Sequence, residues 1–128
     1  MLKIYPAIVH REDGAYWIEF PDLEGCNTFG ESLEQTFENA QEALGLYLAA
    51  LWENGQGFPE PKDLSEIKVS ESSDLTSYIS VDVEDYLKST KAVKKTLSLP
   101  EWLALEAERN NLSLSKVLQE GLKRTLSL

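Results

Sequence analysis

Residues Gly30–Gly55, GESLEQTFENAQEALGLYLAALWENG, decide the fold of this chain. Leu33, Phe37, Ala40, Leu44, Leu48 and Leu51 recur at steps of three and four, which sets one apolar stripe along a helix. Ser32 stands where an N-cap belongs, Gln35 three residues on completes a capping-box pattern, and Asn54-Gly55 marks the stop. A helix with one apolar face needs a surface to lie on, and the flanking sequence supplies strands. Upstream, LKIYPAIVH (2–10) and AYWIEF (15–20) are rich in β-branched and aromatic residues. Asp13-Gly14 between them is a hairpin signal, because glycine accepts positive φ. GCNTF (25–29) reads as a third short strand. Downstream, GFPEPKDLSEIKVSESSD (57–74) is loop-like, SYISVDVE (77–84) alternates and returns to the sheet, and DYLKSTK (85–91) is a connector. These elements spell an α+β fold: an antiparallel sheet covered by one long helix.

A length of 128 residues holds one ordinary domain or two small ones. No apolar run approaches membrane-spanning length, and the N-terminal MLKIYPAIVHRED lacks the layout of a signal peptide. The single cysteine, Cys26, allows no internal disulfide, so the expected compartment is the cytoplasm. One histidine and one cysteine supply no usual zinc site, and no cofactor is expected. Asp13, Asp22 and Glu31 lie in turns or beside a helix start, where carboxylates are ordinary, so no catalytic site and no enzyme activity are expected. His10 reads as a surface residue ending the first strand, and Cys26 as a small buried packing residue.

Charge divides the chain. Residues 1–90 carry five Lys+Arg against 18 Asp+Glu, a net of −13, whereas residues 91–128 carry seven against four, a net of +3. Such asymmetry suggests partners of opposite sign. In the basic segment, Lys94, Thr96 and Ser98 fall on one side of a strand, and Val93, Lys95, Leu97 and Leu99 on the other. Pro100 suits the first turn of a helix, PEWLALEAERNN, and Ser113 caps a second, LSKVLQEGLKRTL, with its own apolar stripe. Strand, helix and helix in so few residues cannot bury a core alone, which predicts a homodimer with the two strands paired as one ribbon. A two-stranded ribbon fits the DNA major groove.

The segment VKKTLSLPEWLALEAERNNLSLSKVLQEGLKRTL resembles a ribbon-helix-helix DNA-binding domain over 92–126. By position, that resemblance makes Lys94, Thr96 and Ser98 the base readers of operator double-stranded DNA. It makes Ser113, Leu114, Ser115 and Lys116 the phosphate anchor, a role that free amides and the helix dipole favour. Lys91 and Lys95 join the phosphate contacts. Lys95 departs from the family by occupying an inward-facing position usually held by an apolar residue.

Residues 1–85 resemble the antitoxin of HicA–HicB toxin–antitoxin pairs. The carrying stretch is FPDLEGCNTFGESLEQTFENAQEAL, in which Asp22, Leu23, Gly25, Cys26, Thr28, Gly30, Glu31, Ser32, Glu34, Asn39, Ala40, Glu42 and Ala43 match the family pattern. Glu24 stands where proline is usual, and Gln35-Thr36 where Glu-Ala is usual. The resemblance implies a degenerate ribonuclease H-like fold without activity. It also implies a small, basic, mRNA-cleaving toxin as partner and repression of the shared operon, with dimers able to join into higher oligomers in the toxin complex. The expected organisation is 1–85 for toxin binding, 86–91 as linker and 92–128 for dimerisation and DNA binding. Trp17, Glu19, Asp22, Glu24 and Glu31 are the expected toxin-binding residues, an acidic, aromatic-bearing edge suited to a basic protein. The competing expectation is a stand-alone ribbon-helix-helix regulator whose first domain senses a ligand.

Overall fold

The computed structural model describes residues 1–71 and 74–128. The reading of 57–74 as loop lies outside the described residues at Ser72 and Ser73. Two compact units divide between Thr90 and Lys91, where the charge also changes sign.

In the first unit, β1 (Leu2–Glu12), β2 (Ala15–Glu19), β3 (Asn27–Gly30) and β4 (Leu75–Asp82) form an antiparallel sheet in the order β3-β2-β1-β4. The β1–β2 hairpin turns on Asp13 at φ 49° and Gly14 at φ 80°, the two positive values that a tight hairpin requires. Pro6 lies in the half of β1 that β2 does not reach, where proline is tolerated.

Helix α1 (Leu33–Glu53) follows β3 and crosses one face of the sheet before the chain returns as β4 on the far edge. Ser32 caps it, its Oγ accepting from the Gln35 amide at 3.1 Å. The Gln35 Oε1 accepts from the Glu31 amide at 2.7 Å, one residue earlier than a capping box would have it. Ala40, Leu44 and Leu48 of α1 are fully buried against Tyr5, Ala7 and Val9 of β1, Ile18 of β2 and Ile79 and Val81 of β4. Burying each leucine contributes about 2–3 kcal/mol. Leu33, expected on this stripe, is exposed instead, while Thr36 and Ala49 join the buried face. Gly45 is also buried, and a methyl there would strike the ring of Tyr86, which a 3₁₀ turn (Val83–Tyr86) presses onto the helix.

Three hydrogen bonds are among the contacts that fasten the connection after α1. The Tyr5 hydroxyl donates to the Pro59 carbonyl, the Lys62 amide donates to Asp22 Oδ2 at 3.0 Å, and the Leu64 amide donates to the Tyr78 hydroxyl at 3.0 Å. A second 3₁₀ turn (Leu64–Glu66) sits within it.

Two neutral acids in this core set an alkaline limit. Burial, with Glu60 and Asp22 nearby, pushes the Tyr5 phenol from 10.0 up to about 12; burial pushes the Cys26 thiol from 9.0 up to about 11. Stability from keeping both neutral is whole below the unfolded values. It is lost as pH rises through roughly 9–11 for Cys26 and 10–12 for Tyr5. The thermal midpoint should stay level to about pH 9 and then fall, and Cys26→Ala should delay the onset to about pH 10.

The second unit comprises α2 (Glu101–Arg109) and α3 (Leu114–Thr125). Pro100 stands at the N-cap of α2, one position before the first turn expected for it. Ser113 caps α3, its Oγ accepting from the Lys116 amide at 3.3 Å. Residues 92–99 pair with no strand among the described residues.

Candidate functional site

The sheet face opposite α1 is built by alternation. Register places His10 across from Trp17 and Ile8 across from Glu19, so all four side chains share that face. Pro6 and Ile8 are buried there too, and β1 is therefore covered on both sides. Trp17 is half-buried and stacked on the His10 ring at 3.9 Å between centroids.

His10 is not the surface residue expected. Strand β1 runs two residues beyond it, and its side chain is only 16% exposed. Its Nδ1 lies 3.0 Å from Oδ2 of Asp74, whose side chain is 3% exposed, and its Nε2 lies 3.5 Å from Oε1 of Glu19. The 3.0 Å approach lacks hydrogen-bond alignment. Asp74 Oδ2 and His10 Nε2 thus have no hydrogen-bond partner among the described residues. The group opens on a cleft of about 470 Å³ that Arg11, Glu12, Ser70 and Glu71 also line. Asp74 was missed in the sequence because it sits at the end of a polar loop. Counting back by twos from Tyr78 through Thr76 would have put it on the same face.

The five acidic and aromatic residues expected to bind a partner do not form one patch. Trp17 and Glu19 join the His10 cluster. Asp22 is half-buried and holds the Lys62 amide. Glu24 is exposed beside α1, where its carbonyl accepts from the Tyr47 hydroxyl at 3.0 Å. Glu31 is exposed just past Gly30, which pairs with Tyr16, at the opposite end of β3 from Asn27 and Glu19. Asp13 is at the hairpin tip, remote from Asp22, and no three His, Cys, Asp or Glu among the described residues converge to hold a metal. Cys26 is buried, its thiol donating to the Ala43 carbonyl at 3.8 Å.

In the second unit, Lys91, Lys94, Lys95, Thr96, Ser98, Ser113, Ser115 and Lys116 are all exposed. So are Val93, Leu97, Trp102, Leu114, Val117, Leu118, Leu122 and Leu126, and neither helix has a buried residue. Two helices that bury nothing have no core of their own.

Residues 5–116 match the family model of the HicB-like antitoxin of bacterial toxin–antitoxin systems, and the chain belongs to that family. A toxin–antitoxin complex from Streptococcus pneumoniae contains a chain 29% identical, with a TM-score of 0.64, covering 98% of this chain and 99% of that one. A chain of the HicA3 and HicB3 toxin–antitoxin complex is 26% identical, with a TM-score of 0.52, covering 62% of this chain and 99% of that one. An uncharacterised 14.9 kDa protein from the rep–hol intergenic region of Haemophilus phage HP1 is 26% identical over 101 residues, 78% of this chain and 75% of that protein. No helix among the described residues is long and apolar enough to cross a membrane.

Proposed function

We propose that this antitoxin divides two tasks between its units. The first unit captures and inhibits a small, basic, HicA-like toxin that cleaves mRNA. The second forms a ribbon-helix-helix homodimer through residues 92–126 and represses the operon that encodes both proteins. In this reading residues 1–85 are a degenerate ribonuclease H-like domain that catalyses nothing, residues 86–91 are the linker, and residues 92–128 dimerise and bind operator DNA. The protein acts in the cytoplasm, and its dimers join into higher oligomers around the toxin.

The observation that carries this is the coincidence of the unit boundary with the charge reversal, −13 before it and +3 after, in a member of an antitoxin family. An acidic unit attracts and orients a basic protein, and a basic unit attracts phosphate. The uncovered apolar stripe of α3 supports the dimer, because a second copy removes it from water. The test is expression of the adjacent reading frame, which this reading expects to encode a short basic protein, alone and together with this chain. Growth arrest by the neighbour alone, relieved by co-expression, is expected. A harmless neighbour, or arrest that this chain does not relieve, contradicts the reading.

A further inference from the structure

We infer that the free edge of β4 receives an extended segment of the protein that the first unit captures, which adds there as a further strand. The inference rests on the antitoxin reading for the identity of that protein, and on the edge for the mode of binding.

Two observations fix which way the backbone of β4 faces. The Val83 amide donates to the Met1 carbonyl at 3.0 Å, two residues past the pair of Val81 with Lys3. Ladder bonds alternate along a strand, so Val81, Ile79, Ser77 and Leu75 turn their amides and carbonyls toward β1. Thr76, Tyr78 and Ser80 turn theirs the other way, where no strand lies among the described residues. The second observation agrees: the Ser80 carbonyl accepts from Gln41 Nε2 of α1 at 2.9 Å, on the side away from β1. All three outward residues are exposed. The Tyr78 carbonyl accepts from the Ser77 hydroxyl at 3.2 Å, and both this hydroxyl and the Gln41 amide are on side chains that can rotate away. Outward donors and acceptors thus recur roughly every 7 Å. An extended backbone matches that repeat.

Beside the edge runs a groove of about 300 Å³, lined by Phe37, Glu38 and Gln41 of α1 and by Tyr78, Ile79 and Ser80 of β4. Phe37 is half-buried and gives it an apolar wall. Glu38 is exposed, and Glu34, one turn earlier on the same side of α1, extends the negative charge. Natural sheets blunt a free edge with lysine, proline or short length. Residues 75–81 hold no charged residue and no proline, whereas β3 at the other edge is four residues long and has its Phe29 carbonyl bonded to Asn39. Charge selects the occupant. A second copy would set its own Glu34 and Glu38 against these and join two units of net −13. A strand of a basic protein complements them.

The experiment follows backbone amide exchange by NMR in the full chain, alone and with the protein encoded by the adjacent reading frame. In the chain alone the Thr76, Tyr78 and Ser80 amides should exchange fast, and Ser77 and Ile79, bonded to β1, slowly. With the partner at about 100 times its Kd, the three fast amides should slow by about 100-fold. A partner seated on a face of the sheet without joining the edge leaves them fast. Ser80→Pro removes one outward amide without touching a bond to β1, and should weaken capture, measured by calorimetry, by about tenfold or more. Should that variant lose its thermal transition, Thr76→Pro takes its place with the same criterion. Capture that leaves the three amides fast, or that a folded proline variant retains at full strength, overturns the inference and leaves the antitoxin reading standing. Slow amides in the chain alone that quicken on dilution make a second copy the occupant and overturn it too. No capture by the wild type overturns the antitoxin reading. The edge is then judged with a capped six-residue peptide of alternating lysine and valine. Slowing of the three amides by that peptide supports strand addition at this edge, and unchanged exchange overturns it.

Discussion

Replacing Lys94, Thr96 and Ser98 together by alanine should lower operator affinity by about 100-fold or more while leaving toxin neutralisation intact. Each well-placed base contact is worth about 1–3 kcal/mol of discrimination, and a symmetric dimer presents every residue twice. Lys116→Ala should behave differently. In the proposed dimer it removes a phosphate contact from each of two chains, so binding should weaken on all sequences alike. The slope of log affinity against log salt should become shallower by about 1.8, at roughly 0.9 per phosphate. Electrophoretic mobility shifts across a salt series, on operator and scrambled DNA, separate the two effects. If the triple variant loses toxin neutralisation together with operator binding, the second unit serves assembly and its strand is not a reader of bases.

Reversing Glu19, Asp22 and Glu24 to lysine should slow toxin association by tenfold or more at low salt and flatten its salt dependence. The three positions differ in what else they touch. Glu24 is exposed, so Glu24→Lys alone changes the field and little more. Asp22 accepts from the Lys62 amide, so Asp22→Lys also frees one fastening of the connection after α1, which Asp22→Asn tests without the added charge. Glu19 belongs to the His10 cluster. A loss concentrated in Glu19→Lys places capture on the face opposite α1, and a loss shared with Glu24→Lys extends it around the 20–26 turn. Stopped-flow association at several salt concentrations distinguishes them. Unchanged rates in the triple variant put the toxin surface elsewhere.

The parts legible in the sequence are those governed by neighbours along the chain. Asp13-Gly14 specified the hairpin because both turn positions need positive φ, and Ser32 and Asn54 bounded α1 because caps are local chemistry. The four-strand antiparallel sheet and its single covering helix followed from two periodicities. Where the outcome depended on contacts across the fold, the reading failed. Leu33 fits the helical stripe yet is exposed, while Thr36 of the same turn is buried against Gly30, so periodicity misassigned the first turn's buried residue. His10 looked terminal because the polar Arg11-Glu12 follows, yet pairing with β2 carries β1 through both. Asp74 then closes over His10 from a segment 64 residues away in sequence, which no local pattern announces. Of the acidic residues grouped in sequence, β3 carries Glu31 to the end opposite Glu19 and the 20–26 turn. For residues 92–99 the alternation predicted a strand, and those residues pair with no strand among the described residues.

If this chain inhibits a ribonuclease by covering it, a titration of cleavage shows the inhibition most directly. The purified basic neighbour, held at fixed concentration with a labelled RNA, is mixed with increasing amounts of the full chain. Cleavage should fall linearly to zero at a fixed stoichiometric ratio, return when the neighbour is added in excess, and be inhibited less by the Glu19, Asp22, Glu24 reversal variant. Cleavage that continues at full speed with the chain in tenfold excess contradicts the account.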